Sequence, residues 1–283
     1  WGCRGSVPVS GKDYNKYGGD TTCIEIRTPN DKAIIIDAGN GIRRLGAELL
    51  ESGIHEFDLF FTHLHWDHIL GFPFFRPIYC DKCAVNIYKT HFMQTSVEES
   101  LQSIMVNPNF PITLDEAAGQ ITYKTIEKSG IEIDGVSLEP IPLSHPNGGA
   151  GFLITYKDYR IAFLTDNELG MTHPGGLTLD QCAERIKGVD LLLHDTEYKD
   201  DEYSKVKGWG HSTISQSIEL AIKADVKGIG FLHHNQDRID DAVDLMVEEA
   251  RELIKKSGKA IKVFAVYQDM FLSFSGDGLP RII

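Results

Sequence analysis

Thr62-His63-Leu64-His65-Trp66-Asp67-His68 is the stretch from which the rest of the chain is read. It follows the apolar run Leu59-Phe60-Phe61 and gathers three imidazoles and a carboxylate into positions 63–68. In an extended segment, side chains two apart share a face, so His63 and His65 can grip one ion. Asp67 and His68, where the chain turns into a helix, can reach a second ion nearby. Histidine nitrogens and a carboxylate suit zinc, iron or manganese, and no thiolate is needed. Three surface histidines at a helix start are the bland alternative, and four ligand-grade residues so close together argue against it.

Outward from this stretch, short apolar runs end abruptly in polar residues. Ala33-Ile34-Ile35-Ile36 ends at Asp37, Ile161-Ala162-Phe163-Leu164 at Thr165-Asp166, Leu191-Leu192-Leu193 at His194-Asp195, and Ile229-Gly230-Phe231-Leu232 at His233-His234. Such runs without alternation read as strands buried on both faces. His63, Asp166 and His233 each follow one, so parallel strands would bring them to a common sheet edge, where open α/β sheets place their sites.

Helices are expected from Gly41 to Leu50, after the capping-box pair Thr213 and Gln216, and from Asp240 to Ser257 with Gly258 as its stop. A hairpin is expected around Asp158, and a strand, a helix and a Pro-broken loop between Val85 and Tyr123. Strands interleaved with covering helices predict a layered α/β sandwich.

The motif His63-Leu64-His65-Trp66-Asp67-His68 resembles the HxHxDH signature of the metallo-β-lactamase fold superfamily. His145 in Leu143-Ser144-His145-Pro146, Asp166 in Leu164-Thr165-Asp166 and His233 in Phe231-Leu232-His233 resemble its later elements in order. The resemblance runs from Gly2-Cys3-Arg4-Gly5-Ser6 through the last His region. His194-Asp195-Thr196-Glu197 followed by Gly210-His211-Ser212-Thr213 looks like the HEAT…GHST pair of one branch, with Asp195 where ribonuclease Z has Glu. That branch contains ribonuclease Z, the phosphonate-pathway cyclic phosphodiesterase and bacterial cyclic-nucleotide phosphodiesterases.

The resemblance implies a four-layered αββα sandwich forming one domain over 1–283, with a 72–123 insertion as lid or dimer surface. It implies two divalent metal ions, zinc first and manganese or iron as alternatives. His63, His65 and His145 would hold one, Asp67, His68 and His233 the other, and Asp166 would bridge them. Two metals at such a spacing lower the pKa of a shared water, so hydroxide becomes available near neutrality. Asp67 would orient that nucleophile, and His211 or His194 would supply the leaving oxygen's proton. His194 has a second reading, as the residue that fixes a ligand's orientation.

The expected activity is hydrolysis of a small phosphodiester, a cyclic nucleotide among the candidates. Ribonuclease Z-like tRNA processing is one alternative, and a thioesterase or lactamase on the same scaffold is another. A di-iron redox protein or a metal-holding sensor is a weaker one, since relatives of that type have Glu where this chain has His65. Bacterial ribonuclease Z carries a long basic-tipped arm in the segment between His145 and Asp166. Here that segment spans 21 positions, enough only for a hairpin, and the net charge is −13. Both disfavour a long nucleic-acid partner.

The 283 residues, 42% hydrophobic and 24% charged, exclude disorder and coiled coil, and no apolar window is long enough to span a membrane. No targeting leader is expected, and five cysteines in so long a chain point to a reducing, cytoplasmic setting. Homodimerisation is expected by analogy. Cys80-Asp81-Lys82-Cys83 lacks the second pair of a zinc ribbon. Gly148-Gly149-Ala150-Gly151 reads as a turn before a strand, and His55, His91 and His173 as solvated. Trp66, Phe72, Phe74, Phe75 and Trp209 are candidates to wall a pocket that stacks on a nucleobase.

Overall fold

Alternation along the buried strands fixes the layering. In the strand β2 (Ala33–Ile36), Ala33 and Ile35 pack toward helices on one side while Ile34 and Ile36 face a second sheet on the other. β10 (Leu191–Asp195) divides likewise, with Leu192 toward helices and Leu191 and Leu193 between the sheets. Successive strand side chains point to opposite faces, so a run apolar at every position must be covered twice. The computed structural model describes residues 1–93, 95–274 and, as backbone, 281–282. Gln94 inside the 72–123 segment and the last stretch of the 1–283 unit lie outside the described residues.

The first sheet runs β1 (Ile24–Arg27), β2, β3 (Glu56–Phe60), β4 (Ala84–Thr90), β5 (Gln120–Ile126), parallel except for the β1–β2 pair. The second has the order β12 (Lys262–Ala265), β11 (Gly228–Leu232), β10, β9 (Tyr159–Leu164), β8 (Ala150–Tyr156), β7 (Val136–Pro142), β6 (Ile131–Ile133). Its half from β12 to β9 is parallel and the remainder antiparallel. β8 and β9 form the expected hairpin, paired through Tyr156 and Tyr159. A short ribbon pairs β13 (Leu272–Ser273) with β14 (Arg281–Ile282).

Helices α1 (Ile42–Glu51) and α3 (Val97–Ile104) cover the first sheet through Ile42, Leu45, Leu49, Val97 and Leu101. Helices α4 (Leu179–Arg185), α6 (Ile214–Lys223) and α7 (Asp240–Ser257) cover the second. Between the sheets lie Ile34, Ile36, Phe60, Tyr88, Phe152, Phe163 and Leu232. This is the αββα sandwich. Thr213 and Gln216 form the capping box of α6, and Gly258 ends α7 in the left-handed conformation. α2 (Trp66–Ile69) and α5 (Tyr203–Val206) are single turns, and α2 carries Asp67 and His68 into the site described next. No helix among the described residues is long and apolar enough to cross a membrane.

Candidate metal centre

Three strand ends reverse their backbone where the site begins. Asp37 follows β2, Asp166 lies two residues past β9 and His233 follows β11, with φ of 64°, 48° and 59°. Asp and His enter the left-handed region more readily than most residues with a Cβ, and here three of them do so where strands β2, β9 and β11 run out. Beside them, α2 opens at Trp66 immediately after His65, which places Asp67 and His68 in its first turn.

Two donor clusters result. His63, His65, His145 and Asp166 offer ligand atoms within 4.8 Å of one another; Asp67, His68, Asp166 and His233 form the second such group. Asp166 is common to both. The Nε2 of His145 lies 3.0 Å from His65 Nδ1, and His63 packs its ring 4.6 Å from each of those two. Asp67 Oδ2 lies 3.0 Å from His233 Nε2 and accepts the backbone N–H of Ser6 at 2.9 Å. Close approach is needed there: a Cβ on Gly5 would sit 2.4 Å from the His233 ring.

Four of the five histidines are pinned through Nδ1, which leaves Nε2 for the centre. His63 meets the Thr62 hydroxyl at 3.1 Å, His68 donates to Asp37 at 2.8 Å, His145 to the Gly210 carbonyl at 3.0 Å and His233 to Glu197 at 2.9 Å. Such outer partners fix tautomer and ring orientation in metal sites. Asp37 also accepts the Thr62 N–H and hydroxyl, so it ties together the C-terminal ends of the parallel strands β2 and β3.

The residues fit a pair of cations. Nε2 of His63 and Nε2 of His68 are buried without a hydrogen-bond partner among the described residues, although they lie 3.5 and 3.2 Å from Asp166 oxygens. Buried nitrogens are rarely left so. An imidazole and carboxylate set with inward lone pairs is what a divalent ion satisfies.

The electrostatics divide the two clusters. Burial pushes His63 and His65 below the ordinary histidine range and His145 down to about 3. Burial opposes charge on His68 and His233 as well, yet Asp166 and Asp67, with Asp37 or Glu197, outweigh it and hold both well above that range. Burial also resists ionisation of Asp67 and Asp166, but the surrounding histidines keep both far below the usual carboxylate range. The negative field that favours a proton here favours a divalent cation as well.

His211 stands at the edge of the centre. Its Nδ1 lies 3.0 Å from Asp195 Oδ2, 3.5 Å from Glu197 and 3.9 Å from Asp166, and its ring stacks 4.7 Å from His233. Burial works against its charged form, while Glu197 and Asp195 raise its pKa to about 9. His194 is placed differently. Its Nε2 meets Asn167 at 3.1 Å and its Nδ1 faces the Ser217 hydroxyl and the Asp195 carbonyl, so both ring nitrogens are engaged by protein.

Several residues here were given no role, or a different one, in the sequence reading. Asp195 and Glu197 group with His211 and His233; the run Leu191-Leu192-Leu193 ending in polar residues was the signal for them. His173, read as solvated, is buried and donates through Nε2 to Glu168 at 2.7 Å. Phe72 and Phe75 belong to the core under α1, and Phe74 packs against Phe110, whereas Trp66 and Trp209 are 57% and 63% exposed.

A four-layer sandwich with two carboxylate-bridged histidine clusters at its strand ends defines a metal-dependent hydrolase of the metallo-β-lactamase fold. A profile of the beta-lactamase superfamily domain matches residues 32–234, and the chain belongs to that family. Ribonuclease Z from Haloarcula marismortui is 23% identical over 298 residues, covering 89% of each chain. Among solved structures, unliganded yeast PDE1 superposes with a TM-score of 0.69 at 13% identity, covering 94% of this chain and 97% of its own. A diphosphatase from the PhnP family gives 0.57 at 21% identity, covering 89% and 80%.

Proposed function

We propose that the protein hydrolyses a small phosphodiester, with a cyclic nucleotide as the leading candidate. The observation that carries this reading is His211. Its Nδ1 is occupied by Asp195, so its Nε2 is left to hold a proton for a leaving oxygen. An alkoxide leaving group needs that proton, whereas the thiolate of a thioester departs without it. When bound, two divalent cations, zinc foremost, make a nucleophile available from water near neutrality and neutralise charge growing on the phosphoryl oxygens. His63, His65 and His145 would hold one, Asp67, His68 and His233 the other, with Asp166 between them.

The remaining work falls to the chain itself. Asp67, fixed by the Ser6 N–H and by His233, orients the attacking water. Asp195 keeps the His211 ring protonated beforehand, and as the P–O bond breaks His211 Nε2 passes that proton to the departing oxygen and is left neutral. Trp66, between His65 and Asp67 in the chain, and Trp209, two residues before His211, are both exposed and offer planar walls for a nucleobase.

Ribonuclease Z-like processing is the second reading, favoured by the matched relatives. The two-residue Lys157-Asp158 turn of the β8–β9 hairpin and the net charge of −13 favour the smaller substrate. The test is a panel of cyclic nucleotides, tRNA precursors and thioesters given to metal-loaded protein, with metal content measured beside it. Two ions per chain and turnover of a cyclic nucleotide are expected, erased by chelation; cleavage of tRNA precursors alone would replace this reading with the second.

A further inference from the structure

Glu168 is a fully buried carboxylate that touches none of the donor atoms of either cluster, and it collects four hydrogen bonds. Oε1 accepts the Tyr203 hydroxyl at 2.7 Å and the Gly208 N–H at 2.7 Å. Oε2 accepts the Gly210 N–H at 2.9 Å and His173 Nε2 at 2.7 Å. Burying a carboxylate is costly unless donors surround it, and these four donors offset that cost while tying Glu168 to the loop at Gly208 and Gly210.

The loop that Glu168 grips turns on two glycines. Gly208 and Gly210 both hold positive φ, 91° and 99°, which glycine populates freely but does not enforce. That same loop presents two groups to the centre: the Gly210 carbonyl, which accepts the Nδ1–H of His145, and His211 itself. Packing leaves no slack, since a Cβ on Gly210 would sit 2.0 Å from the His145 ring. Glu168 is rooted in the centre at its other end. It lies two residues past Asp166, and its own N–H donates to the carbonyl of Ser144, the neighbour of His145. Leu169 N–H on Ser212 Oγ, and Ser212 Oγ on the Asn167 carbonyl, stitch the two segments together further along.

We infer that Glu168 is a positioning residue, clamping loop 207–211 so that one carboxylate sets both the His145 tautomer and the placement of His211. The half of this inference that concerns His211 rests on the proton-donor reading above; the half that concerns His145 does not. Neutralising the carboxylate at constant volume breaks the clamp, because the Gln amide nitrogen must then face two of the four donors. Glu168→Gln therefore has two readouts.

In cobalt(II) titrations followed by visible absorption, Glu168→Gln weakens one of the two binding steps by about tenfold. In hydrolysis, it lowers kcat roughly tenfold more for an alkyl-leaving phosphodiester than for bis-p-nitrophenyl phosphate, with KM little changed. Combined with His211→Ala, the leaving-group effect of Glu168→Gln disappears, because the group through which it acts is gone. Wild-type cobalt affinity together with a wild-type leaving-group ratio overturns the inference, as does a ratio effect that persists undiminished without His211. If His211→Ala has no leaving-group effect of its own, the proton-donor reading fails, and the cobalt step alone then decides for or against Glu168. Thermal melting checks that the variant folds. Should it not, Tyr203→Phe decides: a shift of about twofold in the same two readouts supports the clamp, and no shift in either overturns it.

Discussion

Behind the histidines of the first cluster stand a threonine hydroxyl and a peptide carbonyl; behind those of the second stand the carboxylates of Asp37 and Glu197. The inner atoms are alike, imidazole nitrogens around the shared Asp166. The backing sets them apart. Carboxylates behind an imidazole raise its basicity and hold positive charge nearby, and neutral oxygens do so less. Burial accordingly lowers His63 and His145, while His68 and His233 are held high against it. The second half should therefore bind the more tightly held cation. The first, containing the half-buried His65, is the more open to exchange.

Asp67→Ala cuts deepest into this contrast, because it removes the carboxylate that belongs to the second half alone. Hydrolysis of bis-p-nitrophenyl phosphate should fall by roughly ten-thousandfold or more, with one metal lost and circular dichroism unchanged. Retained turnover would end its proposed role. His211→Ala probes the group that stacks on the second half. It should slow an alkyl-leaving phosphodiester by about a hundredfold or more while barely affecting the p-nitrophenyl ester; equal losses on the two substrates would remove it as proton donor.

Glu197→Gln sharpens the comparison itself. It should weaken the tighter of two cobalt-binding steps by about 10- to 100-fold and spare the weaker, and equal weakening of both would mean that the halves are not distinguished by their backing. The smallest effect is expected at the rim. Trp66→Ala and Trp209→Ala should each raise KM roughly tenfold for a nucleotide substrate, and leave KM for dimethyl phosphate unchanged.

The residues that could be found in the sequence were those whose meaning lies in their immediate neighbours. His63, His65, Asp67 and His68 announce themselves because alternate positions share a face and the next turn is a helix start. Asp166 and His233 stand at the ends of apolar runs, and the capping box at Thr213 is a three-residue pattern. Glu168 had no such signal. Its loop partner Gly210 is 42 residues away, and its neighbours in the chain, Asn167 and Leu169, give no hint of a buried charge. His173 misled for the same reason: an isolated histidine looks solvated until the carboxylate beside it is known. Phe72 and Phe75 read as pocket walls only because aromatic character does not say which side of α1 a ring will occupy.

Periodicity and the run from His63 to His68 determined a layered α/β sandwich, its helices α1, α6 and α7 and the metal-binding type of chemistry, since each depends on residues within a turn or a strand of one another. The four-layered form came through the family resemblance, and α4 (Leu179–Arg185) had no such signal. Which oxygen backs which histidine was decided only by the tertiary structure. The contact of Asp67 with His233 spans 166 residues, and no local pattern constrains a pair so distant. Only the pairing of two sheets and the reversal of three strand ends bring such groups within hydrogen-bonding reach.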